Sequence, residues 1–587
     1  MKIVRHFCFF LSFWFMSVNG ETNRFVFKIK SRFHEFEKLL SVYNFTDMLK
    51  ITPSVFSFKY DGFESRIKTE QVLTEVKRDL ADAVIEIEQA KVLTIGKNWI
   101  LADEKHEGDE QDVIGDDVNS ELAYDTTKEG NKHNAFGMNV ERAWSNGATG
   151  EGINIAVLDV GVNTNLTDLK RNINMVLAKN FIDNTHNVVP EHFHSYQAES
   201  LYIVDHGNRC TSVIAAERGN GRCGDGIAYE AKVVPLKVFE VMERNHHFRI
   251  SITSDVVAAG LAHAPQQIHI YSNSWSPTDK FEPLDLSMRE AIHEGVMNGR
   301  GKLGSIYVVP DGSEKISGSG LANSVNTITV NYVGFNGQLP RSPQVSASVL
   351  TSGLGEGNRI YTYGILTSTL NDKCIKSFKG GSAAVAELSA IIALVLQARP
   401  VLTMRDIQHL LVESSTSKEL GKSVKFERNA AGKLFNSIIG FGLIDAGKMV
   451  NLSKSWTLVE NLHSNTLHRL GDVSKDRNTH NNLQYDSEAM TYTISFKMDE
   501  NRCGLQVLKV EHVILFMNYY IITQRSLMLK IISPGGTHSI IVDNSDDPTF
   551  STDQSDRNLT SVHFWGECPI GIWRVVIQLS QEIGKFS

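Results

Sequence analysis

The sequence predicts an α/β unit built on a parallel sheet with helices on both faces, preceded by a small α+β unit and followed by a β-sandwich. Three observations predict it. From about residue 135 to 450, short apolar runs (Ile153 to Leu158, Val233 to Val238, Ile268 to Tyr271, Ser305 to Val309) alternate with longer helical segments, the rhythm of βαβ units buried on both faces. Past residue 450, β-rich segments recur between turn residues: Thr491 to Phe496, Leu527 to Ile532, His538 to Val542 and Ile572 to Leu579. At 587 residues, the chain exceeds the roughly 250–300 residues at which a single core stops growing, so two or three domains are expected.

Taken in order, Lys2 and Arg5, the apolar run Phe7 to Met16 and the small residues ending at Gly20 predict a signal peptide over 1–20, too short to span a bilayer. No later stretch approaches about 20 apolar residues, so a soluble mature chain without a membrane span is expected. Residues 21–100 read as the α+β unit, with strands at Phe25 to Ile29 and Val55 to Tyr60 and a helical run from Glu70 to Ala90. Residues 101–134 read as a linker, because Asp103 to Glu121 holds nine acids in nineteen positions and is too charged to bury. The α/β unit takes 135–450 and the sandwich 451–587.

Apolar and charged fractions of 42% and 21% are those of a globular protein, and a net charge of -8 points away from a nucleic-acid partner. Sequons at Asn44, Asn165, Asn451 and Asn558 fit secretion. Of six cysteines, Cys8 leaves with the signal, so at least one of the remaining five is a free thiol.

Three polar residues stand where an open α/β sheet places chemistry, at strand ends and helix starts. Asp159 ends the run Ile153 to Leu158, His206 opens a helix within Asp205-His206-Gly207-Asn208-Arg209-Cys210, and Ser382 follows Gly380-Gly381 and begins the apolar helix Ala383 to Ala398. Singly, each reads as an N-cap, a core histidine or a capping serine. Together they form a nucleophile, a general base and an orienting acid in the chain order Asp, His, Ser. Glycines beside His206 and Ser382 suit a close backbone approach to a substrate.

The flanking residues carry a resemblance. Asn220 to Tyr229 (NGRCGDGIAY), Ile268 to Ser272, Gly299-Arg300-Gly301, Arg405 to His409 and Gly440 to Gly447 resemble the kexin/furin proprotein convertases, a branch of the subtilisin superfamily. The likeness runs from about residue 24 to 580. It implies a propeptide that acts as inhibitor and folding partner, a subtilisin-like catalytic unit, and a P (Homo B) domain, with the chain ending short of that domain's last strand. It also implies a monomeric, calcium-dependent serine endopeptidase of the secretory pathway, acting on prohormones or other polypeptides in acidic vesicles or outside the cell. Asp311, in Val308-Val309-Pro310-Asp311-Gly312, stands where subtilases place an oxyanion-hole asparagine, as it does in the neuroendocrine convertase 2 group; the alternative is an Asp-Gly turn. The resemblance assigns calcium ligands to Asp168 and Asn220 through side chains and to Glu217, Arg222 and Gly224 through carbonyls, an oxygen-only set suited to a hard cation. It pairs Cys223 with Cys374, leaves Cys210 free, and leaves open whether Cys503 pairs with Cys568.

The family cleaves after paired basic residues. Asp279 matches the acid that binds the residue before the cut, and Asp285 matches an outer acid. Val160, Ser319 and Val257 stand where other acids do, Gln344 replaces a glutamate of a second calcium site, and Gly381 and Ala386 replace a Thr and a Pro around the serine. The junction Lys91 to Lys97 lacks a basic cluster. An active endopeptidase with weaker dibasic demand and a mildly acidic optimum is expected, the alternative being a non-catalytic relative that binds peptides or a partner protease.

Overall fold

The computed structural model describes residues 21–93, 113–114, 137–460 and 483–579, apart from short stretches inside these spans, 191–202 and 278–280 among them. The expected signal, most of the acidic linker, Asp279 and Cys503 lie outside the described residues.

In the first unit, four antiparallel strands run in the order Phe45–Lys50, Val55–Tyr60, Glu21–Ile29, Val84–Lys91. Alternation splits the strand Glu21–Ile29 between two cores. Phe25, Phe27 and Ile29 pack with Phe36 and Leu40 of the helix Phe33–Val42 and Val76 of the helix Arg66–Asp79. Val26 points the other way, into the core of the α/β unit. The expected helical run from Glu70 to Ala90 is corrected: the helix stops at Asp79 and Val84–Lys91 is a strand. Ile85-Glu86-Ile87-Glu88 alternates with a period of two, and pairing with the strand Glu21–Ile29, Phe27 opposite Ile87, settles the state.

The second unit is a seven-stranded, all-parallel sheet in the order Thr351–Glu356, Ile328–Gly334, Ile306–Pro310, Ile270–Ser272, Asn154–Asp159, Lys232–Lys237, Lys179–Asn180. Both faces are covered, so each strand feeds two cores. Ile155 and Val157 face one, with the helices His206–Ala215 and Gly380–Ala398, and Ala156 and Leu158 face the other, with Ser254–Leu261 and Leu286–Lys302. The helix Gly380–Ala398 is long and apolar enough, by length and composition, to cross a bilayer. That overturns the expectation that no such stretch follows the signal. Its residues from Ala383 to Leu396 are all buried, making it the central core helix of the unit.

The first unit docks on the ends of two helices. Arg24 and Ser57 both bond the buried Asp255, at 2.6 Å each. Glu88 accepts from the N–H of Leu286 at the start of the helix Leu286–Lys302, where a carboxylate is favoured. Beyond Lys91, Leu93 donates to the Ile252 carbonyl at 3.0 Å.

The third unit is antiparallel. A five-stranded sheet runs Leu483–Asp486, Thr491–Met498, Gly571–Leu579, Leu527–Ile532, His538–Asp543, and Val513–Tyr519 pairs with Ser555–Ser561. Its core of Leu529, Ile531, Leu559, Phe564 and Trp573 also takes in Phe281 of the second unit, while Trp565 enters the core of the second unit.

Candidate active site

Asp159, His206 and Ser382 meet at the carboxyl edge of the sheet. Asp159 ends the strand Asn154–Asp159 and is fully buried. Its Oδ1 accepts from the Val160 N–H at 2.8 Å, and its Oδ2 faces His206 Nδ1 at 2.7 Å. A carboxylate only accepts, so Nδ1 carries the imidazole proton and Nε2 is left as the base. Nε2 lies 3.0 Å from Ser382 Oγ. Ser382 is the third residue of the helix Gly380–Ala398, not the residue before it; its N–H is one of the first four, which have no partner inside the helix.

Two residues that sequence reasoning missed hold this arrangement. The Ser274 hydroxyl donates to the Ser382 carbonyl at 3.1 Å, and the Ser382 hydroxyl, 3.0 Å from both His206 Nε2 and the Ser274 carbonyl, directs its one proton to one or the other. Phe378 packs edge-on against the His206 ring, with centroids 5.9 Å apart. Ser274 sits in a run of small polar residues with no local signal, and Phe378 precedes the glycines as an ordinary strand residue. Gly207 has a different reason from the one expected. A Cβ there would lie 2.0 Å from the Gly161 carbonyl, so it lets the histidine helix close onto the Asp159 strand end, not onto a substrate. Cys210, one turn beyond His206, is buried, and burial, with the nearby Asp159 charge, pushes its thiol pKa well up.

Asp311 follows the strand Ile306–Pro310. The site of a Gly381 Cβ would be 3.2 Å from Pro310 Cβ and 3.9 Å from the Gly312 carbonyl, so the segment around Asp311 flanks the serine turn. Its Oδ1 accepts from the Gly318 N–H at 3.3 Å and from the Ser346 hydroxyl. Asp285 caps the helix Leu286–Lys302, Oδ1 accepting from the Met288 N–H at 2.9 Å, and its Oδ2 is buried without a hydrogen-bond partner. Nearby, Lys91 of the first unit pairs with Glu282. Val160, Val257 and Ser319 are all buried.

Cys223 and Cys374 are joined by a disulfide, tying the loop after the histidine helix to the strand Cys374–Phe378 that leads into the serine helix. Among the described residues, Cys210 and Cys568 have no disulfide partner. The loop 217–225 wraps a buried carboxylate. Asp168 Oδ1 accepts from Asn220 at 2.8 Å and Oδ2 from the Ser368 hydroxyl at 2.5 Å. Glu217 donates its N–H to the Asp168 carbonyl and turns its carboxylate out to Arg171, while Asn220 also caps the Arg222 N–H at 2.8 Å. Burial, with the charges of Asp372 and Asp225, raises the Asp168 pKa. A buried carboxylate with the charges of Asp372 and Asp225 close by, contacted by the oxygen-bearing side chains Asn220 and Ser368, fits a hard cation.

Comparison with known proteins places this constellation. Residues 150–442 match the subtilase family, peptidase S8, and residues 510–586 match the proprotein convertase P-domain. Neuroendocrine convertase 2 of Caenorhabditis elegans is 31% identical over 474 residues, covering 75% of this chain and 69% of its own. This chain belongs to the proprotein-convertase branch of the subtilase family. A second neuroendocrine convertase 2, from Drosophila melanogaster, is 32% identical across 75% of this chain and 65% of its own, and human furin is 29% identical across 76% and 54%. The chain thus spans about two thirds of the first two relatives and about half of furin. Among solved structures, an Aeromonas sobria serine protease in complex with its chaperone aligns with a TM-score of 0.59 at 18% identity, covering 78% of this convertase chain and 85% of its own. Fervidolysin of Fervidobacterium pennivorans aligns with a TM-score of 0.51 at 15% identity, across 93% and 70%. The two share the subtilisin fold with the convertase.

Proposed function

We propose that this chain is a calcium-dependent serine endopeptidase of the secretory pathway that cleaves proproteins or prohormones after basic residues. The observation that carries the reading is the unbroken line Asp159, His206, Ser382, at 2.7 and 3.0 Å. Ser382 Oγ attacks the scissile carbonyl as Nε2 of His206 takes its proton, and the same nitrogen then gives that proton to the leaving amine. Asp159 holds the tautomer and stabilises the imidazolium. The Ser382 N–H, at a helix start, donates to the oxyanion.

Asp311 supplies the second donor when protonated. Its Oδ1 accepts from the Gly318 N–H and the Ser346 hydroxyl, which leaves Oδ2 to carry and donate the proton of the protonated carboxyl. An ionised Asp311 only accepts and repels the developing charge. Activity therefore favours mildly acidic pH, which suits a secretory vesicle. Asp279 recognises the basic residue before the cut, and the buried Val160 removes the charge that a second basic residue would meet.

Asp168, Asn220 and the carbonyls of Glu217, Arg222 and Gly224 would hold calcium. The ion supplies charge neutralisation to a loop that the disulfide ties to the serine helix. Chelation with EGTA is expected to lower the melting midpoint of the wild type and to leave that of Asp168→Asn unchanged. The residues 21–93, docked through Asp255 and the Leu286 N–H, act as an inhibitory propeptide.

Labelling with a fluorophosphonate tests the reading. A wild-type chain that labels at Ser382 and a Ser382→Ala chain that does not are the expected results. A secreted, folded wild type that never labels would leave only a peptide-binding relative.

A further inference from the structure

One strand of the third unit touches three separate segments of the catalytic unit, and all three converge on Asp311. The strand Ser555–Ser561 and the residue after it supply the contacts. The Asn558 N–H donates to the Phe281 carbonyl at 3.3 Å. Thr560 grips Asn323 twice, its N–H on Oδ1 at 2.9 Å and its hydroxyl on the Asn323 carbonyl at 2.5 Å. The Val562 N–H donates to the Ala347 carbonyl at 2.9 Å.

Each gripped residue is one step from a group that holds Asp311. Phe281 is buried in the core of the third unit, yet its backbone sits at φ 57°, a left-handed conformation that a bulky residue adopts only where its surroundings impose it. Its N–H donates to the Gly318 carbonyl at 2.8 Å, and the Asn323 amide donates to the same carbonyl at 2.9 Å. Gly318, at φ 79°, has no room for a side chain, because a Cβ would lie 2.3 Å from the Phe281 ring. The N–H of this clamped glycine donates to the Asp311 carbonyl at 3.0 Å and to its Oδ1 at 3.3 Å. Ser346, the residue before Ala347, donates to the same Oδ1. The Gly318 contact is therefore held by the strand Ser555–Ser561, and the Ser346 contact by Val562 directly after it.

We propose that the P-domain strand Ser555–Ser561 sets the direction of the Asp311 carboxyl through Phe281, Gly318 and Asn323, making Phe281 and Asn323 positioning residues for oxyanion stabilisation. The inference rests on the reading of the chain as a serine endopeptidase with Asp311 in the oxyanion position. A hydrogen-bond donor must be aimed at where charge develops, and misplacing it by about 1 Å far from the chemistry costs roughly 10²-fold. A strand that fixes three backbone segments at once restrains that direction better than the loop carrying Asp311 could alone.

The test uses the full chain, secreted and active-site-titrated, with the variants Asn323→Ala and Thr560→Val, each also placed in an Asp311→Ala background. Asn323→Ala removes the amide from the Gly318 carbonyl and is expected to lower both kcat and the rate of fluorophosphonate labelling about 10–100-fold, with KM unchanged. Thr560→Val keeps the side-chain volume and removes only the hydroxyl bond, so a smaller loss of the same kind is expected, and it carries the test should Asn323→Ala fail to fold. In the Asp311→Ala background, both losses should vanish. A lower melting midpoint with unchanged kcat and labelling rate in both variants would make the strand a mere brace, and losses of equal size with and without Asp311 would equally overturn the proposal. A wild type that does not label at Ser382 defeats the endopeptidase reading itself, an outcome distinct from a wild type that labels beside variants that match it.

Discussion

The two sides of Ser382 are built differently. On one side, Asp159 and His206 come from a strand end and a helix start of the same α/β unit, pressed together at Gly207 and backed by Phe378. On the other, Asp311 depends on Gly318 and Ser346, whose neighbours are gripped by a strand of another unit. The relay residues thus come from one sheet, while the side proposed to hold the oxyanion draws its contacts from two units. On the reading proposed above, the β-sandwich adds nothing to the relay, and its part is to direct a hydrogen bond on the other side of the serine.

Removing the relay should be the largest effect. Ser382→Ala and His206→Ala are expected to lower kcat by about 10⁴–10⁶, and Asp159→Asn by about 10⁴ through the wrong tautomer. Pre-steady-state kinetics on folded, secreted protein would measure this. If Asp159→Asn were as active as the wild type, the relay half of the comparison would be gone.

The disulfide belongs to the relay side, since it links the loop after the histidine helix to the strand that leads into the serine helix. Cys374→Ser is expected to lower stability by about 2–5 kcal/mol, read by urea unfolding. A change within about 0.5 kcal/mol would mean that the sheet alone fixes those helices.

Acid should act on another contact between the same two units. Arg405 and His409 of the catalytic unit bond Glu511 at 2.5 and 2.9 Å, and His512 beside it is half-buried, with the loss of solvation lowering its pKa to about 4. A histidine whose folded pKa lies below its unfolded value near 6.5 binds its proton more readily when unfolded. Stability is therefore full above about pH 6.5, falls as the pH drops toward 4, and loses up to about 3 kcal/mol to this one group. Glu511, held at about 2 by His409 and Arg405 against the opposing effect of burial, keeps its contribution until still lower pH. Unfolding free energies at pH 7 and 4.5 should differ less in His512→Gln than in the wild type. Equal differences would assign the acid sensitivity elsewhere.

The smallest expected change sharpens the oxyanion side itself. Asp311→Asn replaces a donor that exists only when protonated with a permanent amide, so rates near neutrality should rise, by up to about 10²-fold, and the profile should broaden toward pH 7–8. Initial rates from about pH 4.5 to 8 decide it. Superimposable profiles would reduce Asp311 to a turn residue.

Much of the fold was legible because its signals are local. The apolar runs that predicted strands lie in strands: Val55–Tyr60 and Leu527–Ile532 match to the residue, and Ile153 to Leu158 lies within one residue of Asn154–Asp159. The strand Val84–Lys91 was lost because residues between Glu70 and Ala90 satisfy a helical spacing almost as well as an alternating one, and only pairing with the strand Glu21–Ile29 decided between them. The strand Ser555–Ser561 was missed because Ser555-Asp556-Arg557-Asn558 carries neither apolar period.

The sequence by itself determined which residues could do the chemistry and in what kind of element each would lie, because strand and helix periods are properties of neighbours along the chain. Asp159 at a strand end, His206 and Ser382 at helix starts and the order of the three units all follow from such patterns. What tertiary structure alone decided is what each side chain faces. Ser274 on Ser382 spans 108 positions and Asn323 with Thr560 spans 237, and Phe281 leaves its own unit for the core of another. No period in the chain encodes a contact between segments so distant. It exists because closing several cores together leaves each buried polar group one way to find its partner.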